Sequence, residues 1–362
     1  MRTHKAIDEL ILRAGAFAAA VLCMLCVIRI LRTDAAASGE TAVAATTAAG
    51  TTAVGTTAGS SAWEDGAIAT GESPLPNMAS EPTEPTAPVV DVTLPTEPTA
   101  LTVSAAATMA TTTARDTAAL AAAFAQIPLT NDAGVSVDTD ALAESIPTFE
   151  VKDEPLVLIM HTHGSESYAD STAPGETGRN EDIAKNVVRV GQALYETLIE
   201  AGIPALHDET MYDVPSYTAS YSRACDGIEA TLEQYPSIQI VIDVHRDAYT
   251  YADGTILATS QTFGGERMSR LMFLVGTDAG TLSHPTWRSH LALAMALQTR
   301  LEELEPGIVR PINIRRQRFN EHLTPGSLLL EVGASGDTLE EAIHAVCVFG
   351  KALAQELGAI VA

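Results

Sequence analysis

The chain has 362 residues, with 46 acidic side chains against 21 basic ones and a formal net charge of −25. Nucleic-acid binding needs Lys and Arg gathered to neutralise phosphates; the sequence holds no basic patch, so that class of function is excluded. The four cysteines, Cys23, Cys26, Cys225 and Cys347, have neither zinc-finger spacing nor the density of a disulfide scaffold, and Cys225 and Cys347 read as buried free thiols.

The charge falls into three blocks. Residues 1–33 carry net +3, residues 34–150 net −14 with Arg115 as their one basic residue, and residues 151–362 mix 15 basic with 29 acidic side chains. Only the last block mixes charges and apolar runs as a packed domain does. In the first block, AGAFAAAVLCMLCVI runs between Arg13 and Arg29, behind Arg2 and Lys5. A spanning helix needs about 20 apolar residues; Ile30 and Leu31 lengthen the run, and the flanking arginines can snorkel. The segment reads as a retained membrane anchor. A cleaved signal with Ala35-Ala36-Ala37 at the cleavage site is the competing reading. Either one places the rest of the chain outside the cytoplasm.

Residues 34–150 are rich in Ala, Thr, Pro and Glu, as in AVAATTAAGTTAVGTTAGSS and LPTEPTA. Too few large apolar side chains are present to offset the entropy of ordering, so the block reads as a disordered linker, extended where Pro-Thr-Glu repeats. A coil of about 100 residues spans about 50–60 Å, which suits a tethered domain. Within the block, residues 115–126 (RDTAALAAAFAQ) predict a short helix.

Residues 151–362 form the expected catalytic domain. Apolar runs at 155–160 (PLVLIM), 238–244 (IQIVIDV), 272–275 (MFLV) and 327–332 (SLLLEV) predict buried strands. Helical periodicity predicts helices over 181–201, 217–235, 289–304 and 339–357. Strands alternating with helices imply an α/β fold, a mostly parallel sheet flanked by helices. In such sheets functional groups gather beyond the carboxyl ends of strands. Here His161-Thr162-His163 follows the first strand, His245-Arg246-Asp247 follows the second, and Glu331 stands near the end of the last.

That placement points to a metal centre. A catalytic zinc takes three protein ligands from His, Asp or Glu and keeps one position open. His163-Gly164-Ser165-Glu166 supplies a His-x-x-Glu pair, and His245 a third donor. If extended geometry continues past the strand, His161 lies on the same side as His163, as an alternative ligand or a supporting partner. Glu181 and Asp182 are rival carboxylate ligands; their bland alternative is favourable charge at a helix N-terminus. Glu331 is a carboxylate in an apolar strand and needs a partner or a role. General base toward water, then acid toward a leaving amine, satisfies the second; an ion pair with Arg318 would satisfy the first. His284-Pro285-Thr286-Trp287 reads as a substrate-contact loop or a turn with an aromatic plug. Arg246 reads as a substrate-carboxylate contact or a partner of Asp247. No Gly-x-Ser-x-Gly elbow occurs, which disfavours a serine hydrolase.

The segments VLIMHTHGSESY (157–168), NVVRVGQAL (186–194), IQIVIDVHRDA (238–248), VGTD (275–278), HPTW (284–287) and SLLLEVGASGDTLEEA (327–342) together resemble the stage II sporulation protein P family. The resemblance covers essentially all of residues 151–362. It implies a fold similar to zinc cell-wall amidases and an N-acetylmuramoyl-L-alanine amidase acting on peptidoglycan, with a second endopeptidase activity on stem-peptide cross-links. It also implies a role in engulfment at the cell membrane alongside the stage II sporulation proteins D and M. By motif, His161 or His163, Glu166 and His245 fall in the metal-binding segments and Glu331 on the catalytic glutamate. Gly336-Asp337 departs from the Asn-containing turn of the pattern, which puts a substrate role for that loop in doubt. A hydrolase of small soluble amides and a non-catalytic wall-binding scaffold are the alternatives. The tether argues against the first, and metal content separates the second.

Overall fold

The computed structural model describes residues 116–150 and 152–358. The expected anchor, residues 1–33, and residues 34–115 of the expected linker lie outside them. Among the described residues no helix is long and apolar enough to cross a membrane.

The linker expectation fails for residues 116–150. Helix α1 (Thr117–Phe124) is capped by Asp116, whose carboxylate accepts from Ala119 N, and α2 (Thr139–Glu144) by Asp138. Between them β1 (Leu129–Asn131) pairs in parallel with β8 (Ile312–Arg315). Phe124 and Leu142 are buried in the main core. The domain therefore starts at least 35 residues before residue 151. Composition averaged over a long Ala/Thr-rich stretch conceals the few large apolar side chains that make this possible.

From β2 (Val157–Met160) the chain alternates as expected. Helix α3 (Val187–Glu200) leads to β3 (Ala205–His207), and α4 (Ser220–Gln234) to β4 (Ile240–Asp247). A small hairpin follows, β5 (Gln261–Phe263) and β6 (Glu266–Met268), turning on Gly264 and Gly265, both at positive φ. Then come β7 (Leu271–Gly276), α5 (Trp287–Leu304), β8, a single 3₁₀ turn (Glu321–Leu323), β9 (Leu328–Ala334) and α6 (Leu339–Glu356). Helix α3 starts six residues later than periodicity predicts, because Asn186 caps it by accepting from Val188 N. Residues 181–186 are a loop tied back through Asn186 Nδ2 to Asn180 O.

The main sheet has seven strands in the order β1-β8-β7-β9-β4-β2-β3. Every neighbouring pair is parallel except β7 with β9. The sheet is thus mixed and mostly parallel: β2, β4 and β9 share one direction, while β7 runs the other way and delivers its carboxyl end to the opposite rim.

The two faces are covered unequally. Ile159, Ile242, Val244, Leu330, Phe273 and Ile314 join the large core that also takes in α1, α2, α3, α5 and α6. On the other face Leu158, Met160 and Val241 meet Ala224 and Ile228 of α4 in a much smaller cluster. Strand alternation puts Asp243 and His245 on the same face as Val241. The polar side chains therefore stand on the thinly covered side of the sheet.

Candidate functional site

Strand β2 stops at Met160, and residues 162–165 turn. That turn separates the two histidines that extended geometry would have kept together. His161 continues the strand alternation and goes under α3, fully buried, with Nδ1 3.1 Å from Val244 O and Nε2 2.9 Å from His207 Nε2. Both of its ring nitrogens are engaged there. His163 goes to the other face. Its ring stacks on Tyr217 at 4.2 Å between centroids and meets His245 edge-on at 5.3 Å. The turn needs Gly164, where a Cβ would lie 3.0 Å from the Met211 backbone.

His245 lies in the buried run of β4, and Glu331 lies beside it in register on β9. The ladder is irregular between His245 and Asp247. His245 Nδ1 lies 3.4 Å from Glu166 Oε2, and its Nε2 2.9 Å from Asp243 Oδ1 without hydrogen-bond alignment. Asp243 is held in turn by Thr162, which donates through its backbone N at 2.8 Å and its hydroxyl at 2.6 Å. Glu166 Oε2 accepts from Arg246 N at 3.2 Å. The structure thus brings His163, Glu166, His245 and Glu331 together and leaves His161 outside the group. Glu181 and Asp182 are also outside it: both are exposed, and Asp182 pairs with Lys185 at 3.3 Å.

The charges follow from the neighbours. Burial would raise Glu166, but the Arg246 guanidinium and His245 hold it well below the usual carboxylate range. Burial would lower His245, yet the Asp243 and Glu166 carboxylates push it well above 6.5, so it carries a proton. His163 is pulled down to about 4, chiefly by burial, and is neutral. Glu331 is pushed up to about 8 by burial, with Asp247 and Glu166 adding to the rise. Three buried atoms, His163 Nδ1, His245 Nε2 and Glu331 Oε2, make no hydrogen bond. Such atoms occur elsewhere among the described residues, as at Trp287 Nε1 and Glu321 Oε1; these three are set apart by belonging to one group of side chains. Among the described residues no group of three or more His, Cys, Asp or Glu side chains stands as a ready-made cage for a metal ion.

Several expectations resolve differently. Arg246 is no free substrate contact: its Nε donates to Ser167 O at 2.9 Å and Nη2 to Gly178 O at 2.6 Å. Asp247 pairs instead with Arg310 at 2.8 Å. Arg318 donates to Ser283 O, so Glu331 gets no ion pair from it. Trp287 is 1 % exposed, and His284 is fully buried against His290, which makes the HPTW segment an aromatic plug. Asp337 is buried and accepts from Thr259, Ser260 and Ala334, so it holds the loop that follows β4. Cys225 and Cys347 are free and half-buried.

Sequence reasoning passed over Asp243, Tyr217, Tyr221 and Asp213. Asp243 had a signal: like Glu331 it is a lone carboxylate in an apolar strand, two residues from His245. The tyrosines had none, since aromatics at helical spacing look like core. Tyr221 stacks at 6.4 Å on His245 and lies edge-on at 5.4 Å to His163. Asp213 is buried and accepts from Ser165 N at 3.2 Å, Ser165 Oγ at 2.6 Å and Arg179 Nη1 at 2.6 Å, joining the segment that carries Tyr217 to the His163 turn.

The sequence profile of the family described as stage II sporulation protein P (SpoIIP) matches residues 99–354. The stage II sporulation protein P of Bacillus subtilis (strain 168) is 28 % identical over 220 residues, which is 56 % of this chain and 51 % of that protein. The chain thus spans about half the length of that curated relative. Among solved structures, the N-acetylmuramoyl-L-alanine amidase AmiC2 of Nostoc punctiforme is similar at a TM-score of 0.32 and 16 % identity, over 56 % of this chain and 94 % of that one. The CwlD amidase of Clostridioides difficile, solved in complex with the GerS lipoprotein, is similar at a TM-score of 0.34 and 11 % identity, over 56 % of this chain and 96 % of that one. With a profile match across well over half of its length, the chain belongs to the stage II sporulation protein P family.

Proposed function

We propose that the chain is a zinc-dependent peptidoglycan hydrolase that cleaves the amide between N-acetylmuramic acid and L-alanine. On this reading it also has endopeptidase activity on stem-peptide cross-links. It works in sporulation engulfment from a membrane anchor in residues 1–33, with the catalytic domain facing the wall and the stage II sporulation proteins D and M as partners. The observation that carries the proposal is the meeting of His163, Glu166, His245 and Glu331, from three separate stretches of chain, on one sheet face where buried donors are left without partners.

The donor set fits zinc in kind. His163 is neutral with a free Nδ1, Glu166 is ionised, and His245 sits between two carboxylates that stabilise positive charge. His163, Glu166 and His245 would hold the ion. A zinc held there supplies Lewis acidity toward the scissile carbonyl and toward water. His245 has to give up its proton on loading, so the carboxylates that favour the proton are the ones that favour the cation. Asp243, fixed by Thr162, keeps the His245 ring in place. Glu331, whose ionised form a divalent cation beside it would favour, would take the proton of the attacking water and return it to the departing amine nitrogen, which leaves the carboxyl unchanged over the cycle. The tyrosines over the imidazoles keep bulk water from the group.

The test is digestion of purified sacculi by the purified chain, with mass spectrometry of the products and metal analysis of the protein. Release of stem peptides with a free L-alanine amine, lost on chelation and regained with zinc, is the expected result. Protein without metal that binds sacculi but cuts nothing would leave a wall-binding scaffold instead. Turnover of small amides with sacculi left intact would mean a soluble amidohydrolase.

A further inference from the structure

His161 is within two residues of a candidate ligand yet lies on the opposite face of the sheet, in a chain of hydrogen bonds that the proposed reaction does not use. His207 Nδ1 lies 3.1 Å from Gln192 Oε1, His207 Nε2 lies 2.9 Å from His161 Nε2, and His161 Nδ1 lies 3.1 Å from Val244 O. The helix is shaped to admit the pair: at Gly191 of α3 a Cβ would run into His161 Nε2 and lie 2.7 Å from His207 Nε2. Glycine weakens a helix interior, so its presence here follows from the approach of the two rings.

Counting protons fixes the direction of the chain. Val244 O can only accept. If Gln192 also presents an oxygen, three hydrogen bonds need three protons on two imidazoles, and the buried pair carries a positive charge. Among the described residues no carboxylate stands in ion-pair contact with either ring, Asp243 and Asp208 acting on His161 only from farther off, and such a charge is costly. Turning the half-exposed Gln192 amide over presents Nε2 to His207 and removes the charge. Glu196, which accepts from Gln192 Nε2 in the present orientation, is exposed and free to turn to water. Every bond then runs one way: Gln192 Nε2 donates to His207 Nδ1, His207 Nε2 to His161 Nε2, and His161 Nδ1 to Val244 O.

The last acceptor matters because of where it lies. The β2–β4 ladder ends at the pair Met160↔Asp243, and the β4–β9 ladder becomes irregular just after His245. Val244 is between these two points, so the backbone that carries His245 has lost regular support on one side and is about to lose it on the other. We propose that Gln192, His207 and His161 form a directed hydrogen-bond chain that fixes the Val244 peptide, making His161 a positioning residue for His245. The inference rests on the reading of His245 as a ligand.

Two measurements test it on the full chain. In ¹⁵N-histidine NMR, His161 is expected as the Nδ1–H tautomer and His207 as the Nε2–H tautomer; His161 as the Nε2–H tautomer overturns the chain. In chelator competition, His161→Ala and His207→Ala are expected to bind zinc about 10- to 100-fold more weakly, as for other residues that orient a ligand. His161→Asn, which keeps an N–H within reach of Val244 O, is expected to recover most of the loss. Unchanged zinc affinity in a folded His161→Ala variant overturns the proposal. So does His161→Asn that holds no zinc at all, because that marks His161 as a ligand. A wild-type chain that binds no zinc sinks the metal reading. The tautomers, and a shift of the His245 ring resonances in His161→Asn, then decide the positioning role without the metal.

Discussion

His245 of β4 and Glu331 of β9 are register partners on adjacent parallel strands, so their side chains stand side by side on one face of the sheet. Their surroundings push them opposite ways. His245 has Asp243 and Glu166 against its ring and holds a proton; Glu331 is pushed up to about 8 by burial, with Asp247 and Glu166 adding to the rise against the opposing pull of His245 and Arg246. That is the metal-free state; a cation in place of the His245 proton would favour the ionised form of Glu331, the form that accepts a proton from water.

The shuttle role proposed for Glu331 predicts the behaviour of Glu331→Gln. The amide keeps the size of the side chain and removes the proton shuttle. Zinc content is expected to be unchanged while sacculus digestion falls about 100- to 10,000-fold. Product release at an unimpaired rate would show that Glu331 does not carry the proton.

Asp243→Asn separates charge from shape. Thr162 can still donate to the remaining carbonyl oxygen, so the turn after β2 should hold, but the negative charge beside His245 is gone. Zinc affinity is expected to drop about 10- to 100-fold in calorimetric titration, with a smaller change in melting temperature. Equal affinity would mean that Asp243 only anchors the loop.

How much of this was legible in the sequence depends on the kind of signal. The strands carrying the site announce themselves as apolar runs interrupted by single polar residues, and Glu331 and His245 stand out for that reason. The split between His161 and His163 was not legible: alternation holds as far as His161, and then a tight turn, possible because Gly164 yields to Met211, reverses the side on which His163 emerges. Strand order was out of reach as well. Nothing local in MFLV says that β7 runs antiparallel to β9, because that is set by the long path through α5, β8 and the 3₁₀ turn. The tyrosine cover and the Asp213–Arg179 tie join residues far apart in sequence, which no motif encodes.

The raised proton affinity of Glu331 gives a stability prediction for the metal-free chain. An acid whose folded value lies above its ordinary 4.5 stays neutral in the fold while the unfolded chain ionises. Stability is therefore full below 4.5, falls as pH rises toward about 8, and levels off above. Glu331→Gln removes that dependence. The variant is expected to melt higher than the wild type at pH about 8 and to lose most of that advantage at pH about 4. A gain of the same size at both ends, measured by thermal melting, would show that the carboxyl is not held neutral.

Residues 116–150 are expected to be part of the folding unit. Phe124 is 1 % exposed and Leu142 3 %, and each sits in the same core as Leu291, Phe273 and Phe349. Burying a large apolar side chain is worth about 1.5–3 kcal/mol. Removing both, together with Ala121, Ala143 and Ile146, strips stabilisation comparable with the whole margin of an average domain, about 5–15 kcal/mol. The loss also uncovers β8, because β1 is its outer neighbour, and an open strand edge invites pairing with another chain. A chain starting at residue 151 should therefore express poorly, elute as aggregates and melt well below one starting at residue 112. If the shorter chain stays monomeric and melts within about 2 °C of the longer one, well inside the shift of about 4 °C or more expected from losing several kcal/mol, the N-terminal helices are ornament on the domain and the boundary belongs at residue 150 after all.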